Sequence, residues 1–185
     1  MEREELFEKL TDCAVSAGAY RACVVRTEDV ATDTSFRDLC AMNTCGNYGK
    51  CWTCPPDVGE IGDLIAALKS YEYMLVYQSV GMLEDSFDIE GMAVAALAHN
   101  ILTDKVRGLL SGTGFSRSLY LCAGGCRICE ICAKKTGEPC RHPDKAMPSL
   151  EAYGVNVSRL AALAGMKYIN GQNTVTYFSG VLFDI

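Results

Sequence analysis

Nine of the eleven cysteines fall in two short stretches, and their spacing is the strongest chemical signal in the chain. Cys126, Cys129, Cys132 and Cys140 follow the pattern C-x2-C-x2-C-x7-C. Two-residue gaps let neighbouring sulfurs face one ion or one inorganic cluster without straining the backbone. Bacterial ferredoxins begin their cluster run in the same way. Gly124 and Gly125 permit a tight approach to Cys126, and Pro143 follows Cys140 by three residues. Four thiolates also suit tetrahedral zinc, although zinc sites more often use two separated pairs. The run therefore points first to a [4Fe-4S] iron–sulfur cluster and second to zinc. A metal-free reading is the weakest, because crowded thiolates repel one another unless a cation sits among them. Arg127, Lys134, Lys135, Arg141 and His142 interleave this stretch. They either offset the negative charge of a thiolate-bound centre or are solvated loop charges.

The first stretch is looser. It reads Cys40-x4-Cys45-x5-Cys51-x2-Cys54-Pro55-Pro56, with a turn-rich Gly46-Asn47-Tyr48-Gly49 inside it. Four cysteines can close a site. Alternatively three bind and leave a coordination position open, which is where catalysis would occur. A single site shared by the two stretches would leave five clustered thiols unused. For an open-site enzyme the candidate helpers are Asn43, Tyr48, Lys50 and Glu151, each of which also has a plain structural reading. Cys122-x3-Cys126-x2-Cys129 matches the spacing of the radical S-adenosylmethionine motif, but Ile128 stands where an aromatic is usual. Too little chain follows it for the barrel that chemistry uses. There is no Ser/His/Asp set, no informative carboxylate pair and no glycine-rich phosphate loop after a strand. Cys13 and Cys23 stand apart and read as small packing residues.

The rest of the composition sets bounds. The 185 residues are 49% hydrophobic and 22% charged, which is ordinary for a globular protein and fits a single domain over residues 1–185. A net charge of −6 argues against a nucleic-acid partner. The N-terminal Met1-Glu2-Arg3-Glu4-Glu5-Leu6 lacks an apolar signal core, and no run approaches the roughly 18 apolar residues of a membrane span. A cytoplasmic protein with reduced thiols and no membrane association is the expectation. An odd cysteine count excludes complete internal disulfide pairing. An iron–sulfur reading calls for a redox partner protein; the sequence says nothing of oligomeric state.

The elements that must position these residues follow from periodicity. Residues 2–17 predict an amphipathic helix stopped by Gly18, and 19–25 a strand. The segment 30–36 reads as irregular. Ile61, Leu64, Ile65 and Leu68 keep a helical stripe, and 71–80 reads as a strand. A long helix is expected from about Ser86 to Leu110, with Met92, Ala96, Leu102, Val106 and Leu109 facing the core. Arg117 to Leu121 predicts a strand that delivers the chain to the second cysteine stretch. Asn156 can cap a helix over 157–164. Tyr168-Ile169 and Thr174 to Phe183 read as a hairpin or as one final strand. The class is α/β: a mixed sheet of about four strands flanked by helices, with cysteine-rich loops at 40–56 and 122–148.

The two loops together resemble a bacterial and archaeal family of predicted metal-binding proteins, the domain of unknown function 2284. The resemblance runs through Cys40, Asn43, Cys45-Gly46-Asn47-Tyr48-Gly49-Lys50, Trp52 and Cys54-Pro55-Pro56. It resumes at Ala123-Gly124-Gly125-Cys126-Arg127, Cys129, Cys132, Pro139-Cys140-Arg141 and Pro143. It closes on Pro148-Ser149, Glu151-Ala152-Tyr153-Gly154 and Val155-Asn156-Val157. What it implies is metal binding through Cys40, Cys45, Cys54, Cys126, Cys129, Cys132 and Cys140, with Cys51 and Cys122 outside the pattern. That favours a four-cysteine second site and a three-cysteine first site. It implies no reaction.

Overall fold

The computed structural model describes residues 3–185. Helix α1 (Arg3–Ala17) buries Leu6, Leu10 and Ala14, and Gly18, at φ +116°, turns the chain into strand β1 (Arg21–Arg26). After a short helix α2 (Phe36–Ala41) and the first cysteine loop come α3 (Ile61–Lys69) and the long strand β2 (Tyr73–Met82). Helix α4 (Ile89–Leu110) then leads to β3 (Arg117–Leu121), the second cysteine loop, α5 (Val157–Leu163) and β4 (Thr174–Asp184).

The four strands and flanking helices bear out the α/β expectation, and the pairing refines it. The sheet order is β1-β2-β4-β3, and every neighbouring pair is antiparallel. Strands β2 and β3 do run parallel, as a helix crossover requires, but β4 lies between them and opposes both. Parallel relations therefore exist only between strands that do not touch. The periodicity of each strand carries no information about that insertion.

Helices cover both faces, which is why the first six positions of β2 are buried without a break. Tyr73, Leu75 and Tyr77 meet Leu10 of α1 and Leu102 and Val106 of α4 on one face. Met74 and Val76 meet Leu68 of α3 and Leu160 of α5 on the other. Helix α4 starts at Ile89, later than the pattern suggests, because the Asp88 side chain accepts from the Gly91 amide at 2.7 Å. Its buried stripe is Ala96, His99, Leu102, Val106 and Leu110. Leu109, an expected core residue, is 54% exposed; the stripe passes to Leu110 at the next i+4 step instead.

His99 sits inside this core at 1% exposure, its ring nitrogens 2.7 and 2.8 Å from the hydroxyls of Ser79 and Ser179. Thr103 adds a hydroxyl 3.3 Å from Ser179. Burial pushes the imidazole pKa down to about 4, so the ring is neutral. Asn156 caps α5 as expected, accepting from the Arg159 amide at 3.1 Å. Tyr168 and Ile169 form no strand, so of the two readings of the last segment the single strand holds. The short helix α2 lies just after the segment expected to be irregular, and Thr32 bridges Val155. Among the described residues no helix is long and apolar enough to cross a membrane.

Candidate metal centre

The first loop is shaped by its own backbone. Cys40 lies near the end of α2, and the Asn43, Gly46, Lys50 and Cys54 amides donate three residues back to Cys40, Asn43, Asn47 and Cys51. Asn43, at φ +54°, accepts from the Tyr48 amide through its side chain at 3.0 Å. Gly49 donates to Pro55 across the loop at 2.8 Å, and the Pro55–Pro56 peptide is cis. This curl exposes Cys45, half-buries Cys40 and buries Cys51 and Cys54.

The second loop leaves β3 and is pinched at its base. The Cys122 amide donates to Pro148, and the Leu150 amide donates back to Cys122, at 2.9 and 3.1 Å. Within the loop the sulfurs of Cys126, Cys129, Cys132 and Cys140 are half-buried. All four residues line one small cavity, and Cys51 of the first loop lines it with them. Trp52, Thr53 and Ala133 line it too, with Ile128, Arg141, His142 and Ala146. The cavity among them is small, about 20 Å³, so a group larger than a single ion would seat there with the sulfurs moved apart. Among the described residues no three Cys, His, Asp or Glu side chains converge on one ion-sized point. The thiols share a space rather than a vertex.

Several contacts hold the two loops face to face. The Cys126 amide donates to the Thr53 hydroxyl at 3.4 Å, and that hydroxyl is 3.4 Å from the Cys51 sulfur. The Trp52 indole N–H donates to the Glu138 carbonyl at 2.9 Å. Lys134 lies over the Trp52 ring, 4.3 Å from its centroid, and pairs with Asp57. Gly125 leaves room for nothing larger: a Cβ there would stand 3.1 Å from the Asn47 side-chain nitrogen and 3.3 Å from the Cys54 sulfur. A cradle this tight against a thiol suits a backbone that must leave sulfur room to ligate.

The electrostatics sort the thiols. Cys51 is pulled below the usual thiol range, first by a hydrogen bond from the Cys54 thiol and further by Thr53 and Cys132. Cys54 is pushed up by the same shared hydrogen bond, by burial and by the negative charge of Cys51, Cys45 and Cys40. Burial raises Cys126, although the Ile128 and Met147 amides point at its sulfur and favour the thiolate. Backbone N–H groups aimed at sulfur are a usual device of iron–sulfur loops. Cys122 is different. Burial pushes it up to about 12, and its thiol points to the Gly124 and Met147 carbonyls, each at 3.4 Å. It behaves as a structural thiol.

The sequence-derived site residues thus fall into two neighbouring groups. Cys126, Cys129, Cys132 and Cys140 share the cavity. Cys40, Cys45 and Cys54 lie close enough for their charges to act on one another. Cys51 stands between, against Cys54 on one side and Cys132 on the other. The family resemblance puts it outside the pattern, whereas the four-cysteine reading of the first loop includes it, and its C-x2-C step to Cys54 repeats the spacing of the second loop. Of the proposed helpers, Asn43 caps the loop and Lys50 is exposed. Burial raises the Glu151 carboxyl, whose negative charge in turn raises Cys40 and Cys122, although the residue as a whole keeps solvent exposure.

A family model described as Predicted metal-binding protein (DUF2284) matches residues 23–183, which takes in the sheet and both cysteine loops. The chain belongs to this family. No curated protein and no solved structure matches it. Membership accords with the donor chemistry of the cavity: thiolate is a soft ligand that holds zinc or iron–sulfur centres, and five thiols here border one enclosed space.

Proposed function

We propose that the chain is an iron–sulfur protein that holds a [4Fe-4S] cluster through Cys126, Cys129, Cys132 and Cys140 and serves as an electron carrier or redox accessory. The observation that carries the reading is the joint lining of one cavity by those four cysteines, in the consecutive C-x2-C order of ferredoxin loops. The Ile128 and Met147 amides directed at Cys126 support it. Such a centre would supply one-electron chemistry. Around it the chain's own residues have definable work: Trp52 and Ala133 limit water, while Lys134 and Arg141, paired with Asp57 and Glu138, fasten the loop around the cavity. Ile128 and Ile131, both exposed beside the ligands, give a redox partner protein an apolar surface close to the centre. Cys40, Cys45 and Cys54 form a second metal site of three thiols on this reading, and the protein works in the reducing cytoplasm.

The test is metal, iron and acid-labile sulfide analysis of protein purified without oxygen. Iron and sulfide in equal amounts, with visible absorption that bleaches on reduction, are expected. Stoichiometric zinc without iron would overturn the reading in favour of a structural zinc module. Cys51→Ala should change the absorption or magnetic-resonance spectrum of the centre, whereas Cys122→Ala should leave it unaltered.

A further inference from the structure

A second, larger cavity of about 400 Å³ opens beside the candidate metal centre, between α4 and the second cysteine loop. That is within the usual range for small-molecule sites. One wall is the outward face of α4, where Leu97 and Ile101 are 60% and 49% exposed, a large apolar step on a helix side that covers no core. The loop supplies Ile128 and Met147 opposite. The charged residues of the lining are Arg127, Lys145 and Asp104, two cations against one carboxylate. Among the described residues neither Arg127 nor Lys145 has an ion-pair partner. The cavity shares Cys126 and Ile128 with the thiol-lined space, so an occupant would lie against a residue assigned above to the metal centre.

We infer that this cavity is a binding site for a small amphiphilic anion, an unbranched carboxylate whose chain lies along Leu97 and Ile101 and whose carboxylate meets Arg127 and Lys145. Apolar lining with a few convergent charges is the usual composition of such sites. Guanidinium and ammonium groups that are free of internal partners lose no existing ion pair when an anion arrives. Asp104 disfavours a dianion and sets the preference for a single negative charge. The site goes beyond electron transfer, because it gives the chain a small-molecule ligand at the border of its metal centre. It depends on the cavity and not on which metal is bound.

Titration calorimetry on the full chain, purified without oxygen and with its metal retained, tests this with octanoate, octanol, octylammonium and acetate as probes. Octanoate should bind saturably with one-to-one stoichiometry and at least about tenfold more tightly than the other three. Ile101→Glu and Lys145→Glu should each weaken octanoate on the order of tenfold. Both positions are exposed, so neither change threatens the fold. Absence of saturable octanoate binding overturns the inference. So does binding that octanol or octylammonium matches, or that both variants keep within about twofold. Each result can be read whether the centre proves to be iron–sulfur or zinc, so failure here and failure of the redox reading are separate findings.

Discussion

Residues 40–56 form successive turns on their own backbone, from Asn43 donating to Cys40 through Cys54 donating to Cys51. Residues 123–131, by contrast, make no backbone-to-backbone hydrogen bond among the described residues. Backbone groups left free of one another need other partners. In this stretch they meet the Thr53 hydroxyl, the Cys126 sulfur, the Cys122 thiol and the Arg141 guanidinium. Residues 40–56 are therefore a preformed half-shell, whereas 123–131 lean on side chains and sulfur for their order; the turns of the second loop resume only from Cys132 onward. Two cysteine-rich loops of one chain need not have the same relation to a metal.

The strongest way to break that contrast is to remove one thiol from each loop. Cys132→Ala should lower bound metal at least about tenfold and make residues 123–131 a protease target, since metal ligation supplies most of the order in loops without backbone bonds of their own. Far-UV circular dichroism should keep the sheet signal. Cys45→Ala, at an exposed position of the self-folded loop, should leave the second loop resistant. Equal proteolysis of the two variants would remove the distinction.

The next effect belongs to the platform beneath both loops. His99 is held near pKa 4 when folded and returns to about 6.5 when unfolded, so between those values the unfolded chain binds more protons. Stability is then full above about pH 6.5 and falls as the pH drops toward 4, by about 3 kcal/mol in all. Urea midpoints at several pH values should show this loss, and His99→Gln should flatten it. A slope that survives the substitution would assign acid sensitivity to the loops instead.

Smaller effects probe the seam. Gly125→Ala puts a methyl group against the Asn47 side chain and the Cys54 sulfur and should cost about 1–2 kcal/mol, read as a lower melting temperature together with weaker metal retention. Trp52→Phe keeps an aromatic wall but loses the bond to the Glu138 carbonyl, a change worth about 1 kcal/mol. Its signature should be faster amide exchange around residues 133–138, with the first loop unaffected.

Much of this architecture was legible before any coordinates. The β-rich run at 71–80 and the apolar stripe of α3 name their elements because one period dominates each. The C-x2-C-x2-C run points to metal binding because thiols on one short loop are necessarily neighbours. What the sequence withheld depends on contacts between distant segments. Cys51 meets Cys132 only because Thr53 and Trp52 dock on the second loop. His99 lies on the buried stripe because Ser79 and Ser179, from two different strands, satisfy both its nitrogens. The placement of β4 between β2 and β3 is likewise a tertiary choice, invisible to strand periodicity.

That placement has a consequence during synthesis. β3, which carries the second cysteine loop, pairs in the sheet only with β4, and β4 is translated after both loops. The forty-four residues from Arg141 to Asp184 take roughly 2–9 s to synthesise at ordinary ribosome speeds. For that interval the five thiols of the second loop have been made, but not the strand that braces β3 beneath them. A metal ion offered to the nascent polypeptide before the last strand has zipped in would meet an unbraced loop.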